Sequence, residues 1–160
     1  MPTVITRELV AFLQAEFRLD WRGIHGAPHW ARVRWNGLQL ARRNGANTRV
    51  IELFAFLHDS RREHDGHDRA HGPRAADLIA DLDRRLFTLT PIERHELETA
   101  CRDHSNGKLD GDLTVQTCWD ADRLDLGRVG IRPDPKRLST SHARDEGLIE
   151  VAYRRSVVRW

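Results

Sequence analysis

Apolar residues recur every three or four positions along most of this chain, and almost nowhere every two. That spacing predicts helices rather than strands. Ile5, Leu9, Phe12, Leu13 and Phe17 share one face, so residues 3–19 read as an amphipathic helix. A second helix starts with Pro28 in its first turn, turns Trp30, Val33, Gly37 and Leu40 inward, and ends before Asn44-Gly45. Thr48 is the expected cap of a third, running to about Arg61. Its middle, Val50 to Leu57, is apolar nearly all round apart from Glu52, as suits the centre of a bundle.

The polar stretch 62–69 reads as a loop. A fourth helix begins near Gly72-Pro73 and carries Ala75, Leu78, Ile79, Leu82 and Leu86 inward. Thr90-Pro91-Ile92-Glu93 joins a cap, a first-turn proline and a capping-box acid, opening a fifth helix to about His104. Asp112 caps a sixth through about Leu126, and one of Ser139, Thr140 or Ser141 caps a last helix reaching toward Trp160. The expectation is an all-α fold: residues 1–160 as one compact domain of six to seven helices.

Composition adds a few limits. The chain has 26 basic and 24 acidic residues, so its basic excess is thin, and no Lys/Arg block marks a nucleic-acid surface. Cys101 and Cys118 lie in apolar helical stretches outside any CxxC and read as reduced core residues. No apolar run is long enough for a membrane span, and the N-terminal residues do not read as a leader, so the expected location is the cytoplasm. The tryptophans, Trp21, Trp30, Trp35, Trp119 and Trp160, read as core or rim rather than base-stacking platforms.

Nine histidines are more unusual, and several continue apolar helix stripes. Asp122 follows Val115 by seven residues, His104 extends the face of Leu97, Ala100 and Cys101, His58-Asp59 follows the apolar run of the third helix, and His71 precedes Ala75 by four. A buried unpaired carboxylate costs several kcal/mol, of order 1–5, unless something neutralises it. One such group is ordinarily a satisfied core residue. Five converging on one interior suggest a shared cation, and mixed imidazole and carboxylate donors suit Mn, Fe, Co, Ni or Zn, with Mg as a further candidate.

The ordered set His29 in His25-Gly-Ala-Pro-His29, the doublet His58-Asp59, and the distant Asp122 in Asp120-Ala-Asp122-Arg-Leu-Asp125 resembles the H…HD…D signature of the HD superfamily of metal-dependent phosphohydrolases. With His71 and His104 between doublet and last aspartate, the order is similar to binuclear members, including diadenosine tetraphosphate hydrolases and HD-GYP-type phosphodiesterases. The resemblance covers roughly residues 25–130, and the GYP signature is missing. It implies one or two divalent ions: His29, His58, Asp59 and Asp122 around the first, and Asp59, His71 and His104 around the second. Alternatively, His71 and His104 bind substrate phosphate or an outer water.

The implied activity is hydrolysis of a phosphoester or phosphoanhydride by metal-activated hydroxide. Its implied substrate is a nucleotide or other small phosphorylated metabolite; membrane and specific nucleic-acid partners are not expected. Asp59, Arg62 and His25 are the catalytic candidates. Arg61, Arg62 and Arg128 are the substrate-binding ones. Arg62 stands where many HD proteins carry Lys and can clamp phosphate, or instead be a solvated helix end or a partner for Asp65. His25 can protonate a leaving group or shape its turn beside Gly26. Arg123 reads as a partner for an acid such as Asp120, while His64, His67, His95 and His142 read as surface residues. Two other readings use the same ligands: a di-iron oxygenase, as in the myo-inositol and aminophosphonate oxygenases, and a catalytically silent nucleotide-binding regulatory module.

Overall fold

The computed structural model describes residues 3–158. Seven α-helices and two short 3₁₀ turns form a compact bundle, and no strand occurs among the described residues. The helices are α1 (Arg7–Glu16), α2 (Ala27–Asn44), α3 (Thr48–Leu57), α4 (His71–Leu82), α5 (Pro91–Asp103), α6 (Leu113–Arg123) and α7 (Glu146–Val157). None of the described helices is long and apolar enough to cross a membrane. Trp160, one of the five tryptophans, lies outside the described residues.

The core forms around α3, whose Val50, Ile51, Leu53, Phe54, Ala55 and Leu57 are fully buried. It packs against α2, α5 and α6, while α4 lies on α5. Glu52 is tolerated in α3 because Arg34 and the Thr3 hydroxyl donate to its carboxylate. Cys101 and Cys118 are buried free thiols. Trp30 and Trp119 are buried, with indole N–H groups donating to the carbonyls of His25 and Ala100.

Several element ends differ from the sequence reading, each for a local reason. Asn47 rather than Thr48 caps α3, its side chain accepting from the N–H groups of Arg49 and Val50. That helix stops at Leu57, four residues before the expected Arg61, because Ser60 turns back onto the Leu57 carbonyl. Helix α4 ends at Leu82 rather than Leu86, where Arg84 takes a left-handed φ of 67° and Asp83 bridges to Phe87. Asp145, not Ser139 to Ser141, caps α7. Ser139 and Thr140 instead give their N–H groups to Asp120.

Candidate metal centre

Five helix ends meet on one side of α3. His29 sits in the first turn of α2, His58 caps the C-terminus of α3 and Asp59 follows it, His71 opens α4, His104 closes α5, and Asp122 lies in the last turn of α6. Three of these ends are C-termini, whose free carbonyls favour a cation. Two glycines make the convergence possible. At Gly26, before α2, an added Cβ would fall 2.2 Å from the Trp21 carbonyl oxygen. At Gly72 it would fall 2.7 Å from that of Cys101, so only glycine lets α4 approach α5 closely enough for His71 and His104 to meet.

The six donors divide around Asp59. Its Oδ2 lies 3.5 Å from His29 Nε2 and 3.7 Å from His58 Nε2. Those two nitrogens lie 3.3 and 3.5 Å from Asp122 Oδ1. Its other oxygen, Oδ1, lies 3.2 Å from His71 Nε2 and 3.4 Å from His104 Nε2. Asp59 thus presents one oxygen to each cluster. All four imidazoles and Asp59 are buried, and groups of three donors lie close enough to share an ion.

The far side of each ring explains its orientation. His58 Nδ1 faces the Phe54 carbonyl at 3.0 Å, His104 Nδ1 the Cys101 carbonyl at 2.8 Å, and His71 Nδ1 the Asp68 carbonyl. A carbonyl only accepts, so Nδ1 carries the proton and each Nε2 lone pair points to the centre. His29 Nδ1 meets the Asp125 carboxylate at 2.6 Å, which Arg32 grips with two further bonds. The Nε2 atoms of His29 and His58 then stand 3.0 Å apart, and those of His71 and His104 2.8 Å apart. Lone pair against lone pair is repulsive unless a cation lies between them.

The carboxylates give the same answer. Asp59 Oδ2 and Asp122 Oδ1 are buried with no hydrogen-bond partner. Burial pushes the Asp59 carboxyl up, but the surrounding imidazoles of His58, His104, His71 and His29 outweigh it and hold the group well below the usual carboxylate range. Asp122 behaves alike: burial raises it, and His29, His58 and Arg128 bring it well below. Orphaned, readily ionised oxygens facing imidazole lone pairs fit a divalent ion.

A cleft of about 810 Å³ opens onto Asp59, His104 and Asp122. Arg62 lines it, donating to Asp59 Oδ1 at 3.1 Å and to the Gly66 carbonyl. Arg128 also lines it, 3.9 Å from Asp122 Oδ1, with other donors on the carbonyls of Ile24 and Asp125. Arg61 lies elsewhere, reaching Glu16 at 3.4 Å. His25 is buried and bonded through Nδ1 to Asp65 at 2.8 Å, and burial pushes its imidazole down despite that carboxylate. It is absent from the cleft lining. His64, His67 and His95 are exposed, and His142 is half-buried.

Two residues differ from the sequence reading. Arg123 does not pair with Asp120; it donates to the carbonyls of Arg137 and Lys108. Asp125, to which the sequence reading gave no role, orients His29. Its signal was present, since it lies three residues beyond Asp122, one further turn along the same stripe.

No protein-family model, curated protein or solved structure matches the chain. The geometry by itself establishes a helical bundle with a buried His/Asp cluster able to hold metal.

Proposed function

We propose that this protein is a binuclear metal-dependent phosphohydrolase of the HD type, acting on a nucleotide or another small phosphorylated metabolite. The observation that carries the reading is the division of Asp59, one oxygen toward His29 and His58 and the other toward His71 and His104. A carboxylate shared in this way suits two neighbouring ions, which when bound supply Lewis acidity and lower the pKa of water. Asp122 completes the first donor set, and the Asp125–Arg32 pair keeps His29 turned toward it. The donors suit Mn, Fe, Co, Ni or Zn, with Mg also to be tested.

The chain's own groups account for the remaining tasks. Arg62 and Arg128 sit at the metal end of the cleft, where guanidinium groups can bind phosphoryl oxygens and orient the scissile group. The turn that ends α3 sets the Asp59 carboxylate between the two histidine groups. His25, tied to Asp65 and outside the cleft lining, fits a support for the loop that carries Arg62.

Metal analysis of the purified protein, followed by a phosphate-release screen over mono-, di- and cyclic nucleotides with Mn, Co, Ni, Fe and Mg, tests this reading. The expected result is about two ions per chain, turnover with at least one metal, and loss of both in Asp59→Ala. Full activity in Asp59→Ala would overturn it. Oxygen uptake by the iron form without phosphate release would favour the oxygenase chemistry instead.

A further inference from the structure

The walls of the cleft carry more positive charge than a single phosphate needs. Arg62, Arg123, Arg128, Arg132 and Arg137 line it, whereas the lining acids are Asp59 and Asp122 at the centre and Asp134 at the rim. Arg132 is neutralised by Glu146 and Glu150. Arg62 and Arg128 face the donor cluster. Arg123 and Arg137 are different, because neither has a carboxylate partner among the described residues. The Arg123 guanidinium uses two donors on backbone carbonyls, one of them that of Arg137, which locks the two residues into one wall. Carbonyl bonds hold a guanidinium in place without cancelling its charge.

The same cleft is lined by the apolar residues Leu109, Leu126, Ile131, Pro133 and Leu138. The volume, about 810 Å³, is in the range that encloses a whole small organic molecule. An apolar lining, with Arg62 and Arg128 at the donor cluster and Arg137 apart from any carboxylate among the described residues, fits a molecule with an organic body and two anionic groups.

We infer that the substrate carries a second anionic group besides the scissile phosphate, and that Arg137, positioned through Arg123, binds it. This rests on the phosphohydrolase reading and names the substrate class of the same site: an organic bisphosphate, whether nucleoside or sugar, in preference to the corresponding monophosphate. Arg137 is exposed and its side chain makes no hydrogen bond among the described residues, so replacing it leaves the fold's own contacts in place. A charge-assisted, forked contact of this kind shifts affinity about tenfold or more.

The test compares adenosine 3′,5′-bisphosphate with adenosine 5′-monophosphate, and a hexose bisphosphate with its monophosphate, on the metal-loaded protein. Both turnover and calorimetric binding are read. The bisphosphates are expected to have kcat/KM at least about tenfold higher, through KM. Arg137→Glu should collapse that ratio, and Arg137→Lys should keep most of it. The nucleoside and sugar pairs distinguish which organic body the apolar lining accepts. Equal handling of mono- and bisphosphates, or an Arg137→Glu protein that keeps the ratio, overturns the inference while leaving metal-dependent hydrolysis intact. If no phosphoester is cleaved at all, the phosphohydrolase reading fails. The binding ratio and its response to Arg137→Glu then still decide whether the second anion site exists.

Discussion

Asp120 and Asp122 stand two residues apart on α6, and their surroundings could hardly differ more. Asp120 accepts three hydrogen bonds, from the N–H groups of Ser139 and Thr140 and from the Thr140 hydroxyl. Asp122 has a buried oxygen with no donor at all. Burial still pushes the Asp120 carboxyl up, because its partners are neutral dipoles, while Asp122 lies well below its ordinary value beside imidazoles and Arg128. One helix therefore presents a carboxylate satisfied by the fold and another left for something outside the chain. Burial alone does not mark a functional acid; burial without a donor does.

Substitutions at the two positions should act in opposite directions. Asp122→Asn removes a donor oxygen and is expected to weaken metal binding by more than about 100-fold, beyond what loss of an outer contact costs. Competition with a chromophoric chelator would measure it. The melting temperature in chelator should stay level or rise, since an uncompensated buried charge has gone. Asp125→Asn, one step removed from the centre, should weaken metal binding by about 10- to 100-fold while the protein stays folded.

Asp120→Ala reverses the pattern: about 1–3 kcal/mol lost in urea unfolding, with metal content retained. An Asp120→Ala protein that lost its metal while remaining fully stable would erase the distinction. The smallest effect concerns Glu93, which is satisfied like Asp120 but has a cationic partner. Burial raises its carboxyl, and the Thr90 N–H, Arg49 and Asn47 more than compensate, so it is lowered from its ordinary 4.5. Ionised Glu93 then adds stability that is fully present above pH 4.5 and is lost as pH falls through the lower, folded value. The stability gap between wild type and Glu93→Gln, followed by urea titration, should accordingly narrow below pH 4.5.

Helix identity was legible because each helix needs an apolar stripe long enough to count. Five of the six donors were legible for the complementary reason: His58, Asp59, His71, His104 and Asp122 interrupt or extend such stripes, while His29 entered only through the resemblance of the ordered set. What escaped depends on returns of the chain that periodicity cannot encode. The donors to Asp120 come from residues 139 and 140, so α6 read in isolation suggested Arg123 as its neighbour. Asp125 lay on the same stripe, but the partner that gives it a role, His29, is 96 positions away. His25 and Asp65 are 40 positions apart, and nothing local to either announces the pair. Cap positions failed similarly: Thr140 was one of three candidate caps, but its hydroxyl donates to Asp120.

Because the six donors arrive from five helix ends, no single hairpin or helix pair of this chain contains both of the donor sets proposed above. His29 and Asp122 must travel across 93 positions of sequence to lie 3.3 Å apart. If the cluster holds metal as proposed, a partly folded chain would offer only scattered histidines, and tight retention is expected only once α2 to α6 have docked. On that reading, ion content would gauge finished tertiary assembly even before any substrate is known.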